Sequence, residues 1–217
     1  MPIIFKILKR ELSRFSDIPQ RGRKLTLSIM LYLAADIISW IFSMAYLYSK
    51  TQRFETTAVF DLGLYLTICL GFLINSKLIS RFSSKKITTL GLSGMGLVFL
   101  ILFLIPWLGV YNSKIDLITS FVLGLMYGLP CGLYWSNRLF LFTTEVRDQQ
   151  RDYVSAVTGA FASISGVVLP LLVGWLIALS PALGWEKLVT YRWIMVVAFL
   201  LYFFSGKVLS SQSSTSQ

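Results

Sequence analysis

The chain has 217 residues, is 55% hydrophobic and carries a formal net charge of +10 without a single histidine; its mean hydropathy is +0.70. Those values exclude a soluble globular domain, whose apolar residues would alternate with polar ones. The missing histidine removes the usual metal ligand, the usual general base and every Ser-His-Asp arrangement, so neither an enzyme nor a cofactor or metal site is expected.

Residues 1–24 form a basic segment. Lys6, Lys9, Arg10 and Arg14 interrupt its apolar residues, so it has no continuous apolar region of the kind a signal peptide needs. Ile4, Ile7, Leu8, Leu12 and Phe15 fall on one helical face. The segment reads as an amphipathic helix on an anionic cytoplasmic leaflet, or as a basic leader that only fixes topology.

Six apolar stretches follow, at Leu25–Tyr48, Thr57–Ile79, Ile87–Leu108, Ile115–Phe142, Tyr153–Leu179 and Tyr191–Val208. About 20 apolar residues cross the ~30 Å hydrocarbon core as a helix. Backbone groups in lipid must be satisfied within the segment, so an all-α polytopic membrane protein is expected, with the bundle over residues 25–208. A polar tail, 209–217, closes the chain.

The first span holds Asp36 near its middle, where a charge costs about 2.5–3.5 kcal/mol on insertion scales. Tyr32, Asp36, Ser39 and Ser43 share its face. They read as the wall of an aqueous cavity in which Asp36 binds a proton or a cationic group. The alternative is a protonated Asp36 bonded to a neighbouring helix. The second span spaces Gly63, Thr67, Gly71 and Asn75 four apart, with Asp61 near its outer end.

The third span is uncharged through LGLSGMGLVFLILFLIPWLGV. Its Gly91-Leu92-Ser93-Gly94 resembles the G-x-S-G of intramembrane serine proteases, but with no histidine to act as base it reads as a small-residue packing patch. No Gly-rich phosphate loop of the G-x-x-x-x-G-K-[ST] type occurs.

The fourth span repeats small residues at Ser120, Gly124, Gly128, Gly132 and Ser136, a face that permits close helix contact. Pro130 interrupts it and marks a candidate hinge. Tyr134, Asn137 and Arg138 beyond it are candidates for a solute site; Arg138 either reaches the headgroups or binds an anion from the cavity. The fifth span carries Ala162, Gly166, Pro170 and Gly174 at the same spacing. Spans one, two, four and five therefore hold the polar and kinked positions, and spans three and six read as lipid-facing supports in a 3+3 repeat. Cys69 and Cys131 lie within spans and read as small buried hydrophobes.

With an N-terminus in the cytoplasm, the inner segments carry fifteen Lys and Arg and the outer ones only Lys50, Arg53, Lys114, Lys187 and Arg192. That bias puts both termini in the cytoplasm, and it explains the net charge without nucleic acid. Tyr46, Tyr48, Trp107, Tyr111, Trp185, Tyr191 and Trp193 cluster at the outer boundary.

The loop Leu78-Ile79-Ser80-Arg81-Phe82-Ser83-Ser84-Lys85-Lys86 resembles the cytoplasmic loop motif of the major facilitator superfamily, keeping Arg81, Lys85 and Lys86 but with Ser80 at the acidic position and Ser83 at the glycine. Gly124 and Gly128 match that family's span-four glycine pattern, with Ser120 at its Arg and Met126 at its middle glycine. The Gly and Pro of span five and Tyr191-Arg192-Trp193-Ile194 also resemble family features. The resemblance covers Leu25–Val208, one six-helix half. It implies half or a subunit of a secondary active transporter in the cell membrane, moving a small solute by alternating access, with protons as a candidate coupling ion. Its partners would be lipid and a second six-helix bundle, supplied by another chain, a second copy or a continuation of a longer transporter. A non-transporting membrane scaffold or an inactive fragment is the alternative.

Overall fold

A computed structural model of the chain describes residues 13–108 and 115–211. The apolar face at Ile4, Ile7, Leu8 and Leu12, and the tail from 212 onwards, lie outside the described residues. Six helices are long and apolar enough to cross a membrane, and the described residues contain no strand. They are α1 (Gln20–Thr51), α2 (Phe54–Leu78), α3 (Ser84–Leu104), α4 (Ile115–Glu145), α5 (Asp148–Leu179) and α6 (Lys187–Ser210). Most extend past the apolar stretches. The 32 residues of α1 are about 48 Å long at 1.5 Å per residue, more than the hydrocarbon core requires.

Local chemistry sets the ends. Gln52 adopts a left-handed conformation, φ 56°, and its N–H reaches Tyr48 O at 2.7 Å. Gln52 and Arg53 alone join α1 to α2. Pro106 has no N–H to give to Leu102, and α3 tightens there into a 3-10 turn, Ile105–Leu108. A second such turn, Ser180–Leu183, follows α5 and closes on Gly184 at φ 75°.

The most extensive contact is between α2 and α4; α1 with α6, α3 with α6 and α3 with α4 follow, and α1 meets α5 more lightly. Glycines explain the first. A Cβ on Gly124 would collide with Phe60 O, one on Gly128 with Leu64 O and one on Gly132 with Ile68 O. From the other side, a Cβ on Gly63 would strike Phe121 O, and one on Gly71 would lie 2.8 Å from Gly132 Cα. Two glycine rows thus bring the backbones together, and Thr67 Oγ1 donates across the gap to Leu125 O at 2.9 Å. Gly91 and Gly94 of α3 receive Pro130 of α4: a Cβ on Gly94 would be 2.7 Å from the proline Cγ.

The sequence pattern cast spans three and six as lipid-facing supports, and here the structure differs. Leu92, Met95, Phe99 and Leu102 of α3 and Met195, Ala198 and Tyr202 of α6 are buried in the central core. The exposed helix is α5, where Val154, Thr158, Ser165 and Ile177 are the buried residues. In a bilayer apolar side chains are as suited to a helix interface as to lipid, so a smooth apolar span does not identify the outside of the bundle.

Candidate functional site

Asp36 is half-buried on α1, and two helices far away in sequence close on it. Its Oδ1 accepts from Tyr127 Oη of α4 at 3.4 Å and from Tyr202 Oη of α6 at 3.4 Å. Those two hydroxyls are 3.0 Å apart, and Ser39 Oγ is 3.2 Å from Tyr202 Oη. A carboxylate inside the apolar bundle thereby acquires donors, which offsets part of the cost of its burial. Aromatic packing holds them in place: Phe99 stacks on Tyr202 with ring centroids 5.7 Å apart and meets Tyr127 edge-on at 5.4 Å.

One face of α1 continues from Asp36 to Tyr32, which stacks on Tyr134 at 4.1 Å. Tyr134 Oη is buried without a hydrogen-bond partner among the described residues. Arg138 lies beyond, its guanidinium 4.8 Å from the Trp135 ring centroid and 5.9 Å from that of Tyr32. Trp135 is one turn earlier on α4, so the Arg138 side chain folds back along the helix, away from the Glu145 end.

Arg138 and Trp135 line a cavity of about 680 Å³. Ile29 and Leu33 of α1 form one wall, Leu139 and Phe142 extend the α4 wall, and Ser155, Thr158, Gly159 and Ala162 of α5 form the third. Arg138 is the one charged residue in that lining. The light contact between α1 and α5 leaves this space open, because α1 has no glycine row to draw α5 close.

The remaining sequence candidates have other positions. Ser43 is buried and donates to Trp40 O of its own helix at 3.3 Å. Asn137 is fully buried and donates to Asn75 Oδ1 of α2 at 2.6 Å, so it links two helices and does not line the cavity. Gly124, Gly128 and Gly132 meet α2, and Pro130 meets α3. A Cβ on Gly166 or Gly174 would touch nothing within 4 Å, so the small-residue face of α5, which Pro170 shares by its spacing, packs on no other part of the bundle. Of the loop motif, Lys85 Nζ pairs with Glu145 Oε1 at 2.8 Å and joins the start of α3 to the end of α4, while Arg81 and Lys86 are exposed. Cys131 is buried and Cys69 is exposed on α2.

Tyr127, Tyr202 and Glu145 were not among the sequence candidates. Tyr127 had a signal, since it precedes Tyr134 by seven residues and shares its face. Tyr202 and Glu145 gain their roles only from helix pairings. No family model matches this chain, no curated protein matches its sequence and no solved structure matches its fold.

Proposed function

We propose that the chain is one six-helix bundle of a secondary active transporter, built like half of a major facilitator protein and moving a small solute by alternating access. The observation that carries this reading is Asp36, a mid-span carboxylate held by tyrosines from two other helices; it is not among the residues lining the Arg138 cavity, to whose wall α1 contributes Ile29 and Leu33. Ionisable residues at such depth are costly and belong by default to solute or ion paths.

The pairing of helices supports the 3+3 arrangement. Exchanging α1 with α4, α2 with α5 and α3 with α6 turns the α1–α6 contact into α4–α3, turns α2–α4 into α5–α1, and leaves α3–α6 unchanged; all of these contacts occur. A bundle with that internal repeat holds its solute near the midplane and works against a second bundle. The uncovered small-residue face of α5 is suited to such a partner.

Asp36 offers a route for coupling. As a carboxylate it accepts from Tyr127 and Tyr202. Protonated on its other oxygen it gains a donor, while Oδ1 becomes a weaker, uncharged acceptor for the two hydroxyls. Proton uptake would then alter how α4 and α6 hold α1. The experiment is reconstitution of the purified chain in liposomes, with crosslinking to report its oligomeric state. Solute flux is expected from an assembly of two bundles. Robust flux from a strictly monomeric chain would overturn the half-transporter reading.

A further inference from the structure

Arg138 is a fixed charge among mostly apolar side chains. Among the described residues it makes no ion pair, and its guanidinium lies over the Tyr32 and Trp135 rings. A guanidinium stays protonated at any accessible pH and has five donors in a planar fork that matches an oxyanion. Ring contact fixes its plane but uses none of those donors. Among the described residues no hydrogen bond or ion pair joins Arg138 to Asp36, whose Oδ1 accepts from Tyr127 and Tyr202.

Around Arg138 the walls are apolar: Ile29, Leu33, Leu139 and Phe142, with the exposed Trp135 indole beside them. Across the space, Ser155 of α5 is exposed and offers a hydroxyl. A volume of about 680 Å³ suits a small organic molecule, whose sites are mostly apolar with a few placed polar groups. We propose that the cavity between α1, α4 and α5 takes a monoanionic organic solute, a carboxylate or sulfonate on an apolar body, with the anion on Arg138 and the body against Trp135, Leu139 and Phe142. This identification of the solute class rests on the transporter reading of the bundle; the binding site itself rests on the cavity.

The test is equilibrium binding of radiolabelled 4-phenylbutyrate to the full chain in phosphatidylcholine nanodiscs. Saturable binding is expected, with the neutral 4-phenylbutyramide and the cationic 4-phenylbutylamine competing roughly tenfold or more less well. Arg138→Gln should weaken binding by roughly tenfold to a hundredfold, and Arg138→Lys should fall between, since it keeps the charge but loses the fork. Gly159→Leu guards against a folding artefact. A Cβ there meets nothing within 4 Å, so the bundle should stay intact while the new side chain fills the cavity and blocks the probe. No saturable binding at millimolar probe, equal competition by the amide, or unchanged binding in Arg138→Gln would overturn the proposal. Displacement of the probe by phosphatidylglycerol in the disc would give the same anion site to a lipid headgroup and overturn the solute. Arg138-dependent binding without flux from an assembly of two bundles in liposomes would keep the site and overturn the transport reading. Flux of a cation that ignores Arg138→Gln would do the reverse.

Discussion

At Asp36, one carboxylate oxygen serves two tyrosines, and the consequence is measurable. Asp36→Asn keeps size and an acceptor oxygen but cannot exchange a proton. In an assembled transporter it should leave expression intact and abolish uptake or flatten its dependence on pH between about 5 and 8. Unchanged transport over that range would remove Asp36 from the mechanism. Tyr202→Phe offers a second measurement. Losing one hydroxyl inside a bilayer costs on average about 0.6 kcal/mol of stability, so the fold should survive while the pH profile moves. The sequence made one side of this cluster legible. Tyr32, Asp36 and Ser39 follow a helical period, and a period can be read without a structure. Ser43 follows it too, yet bonds only within α1. Tyr202 was hidden because a lone tyrosine in an apolar run has the same appearance whether its hydroxyl meets lipid headgroups or a buried carboxylate.

Helices α4 and α5 carry small residues at the same four-residue spacing, but the structure uses them differently. The difference lies in the partner. Helix α2 answers α4 with Gly63, Thr67 and Gly71, whereas α1 presents Leu25, Ile29 and Leu33 towards its neighbours. Spacing therefore indicated that a close approach was available, and not which helix would make it. Gly128→Leu should force the α2–α4 backbones apart. Overpacking typically costs about 1–3 kcal/mol, and the purified bundle should melt earlier and lose its monodisperse elution. At Gly166 a Cβ would meet nothing within 4 Å, so Gly166→Leu should stay within about 0.5 kcal/mol of the unaltered chain. Equal destabilisation by both would mean that the α5 face is packed within the bundle after all. The buried α3 and α6 teach a related lesson: in lipid, low polarity is shared by interfaces and exterior alike, so hydropathy finds spans and leaves their order around the axis undetermined.

For the whole molecule, charge supplies what packing does not. The six helices would pack identically in either orientation, since their mutual contacts have no reference to a membrane side. The Lys and Arg distribution breaks that symmetry. Arg21, Arg23 and Lys24 at the start of α1, Lys77, Arg81, Lys85 and Lys86 around the α2–α3 junction, Arg147 and Arg151 around the α4–α5 junction, and Lys207 near the end of α6 gather at one end of the bundle, where Lys24 Nζ also reaches Ser211 O at 3.0 Å. Translocating that end would carry most of the chain's positive charge across the bilayer, so it should remain cytoplasmic. With Cys69 and Cys131 replaced, a cysteine introduced at Ser113, between α3 and α4, should react with an impermeant thiol reagent added to intact cells, and one at Ser210 should react only after permeabilisation. Labelling at 210 but not at 113 in intact cells would invert the bundle, and with it the side from which the Arg138 cavity is loaded.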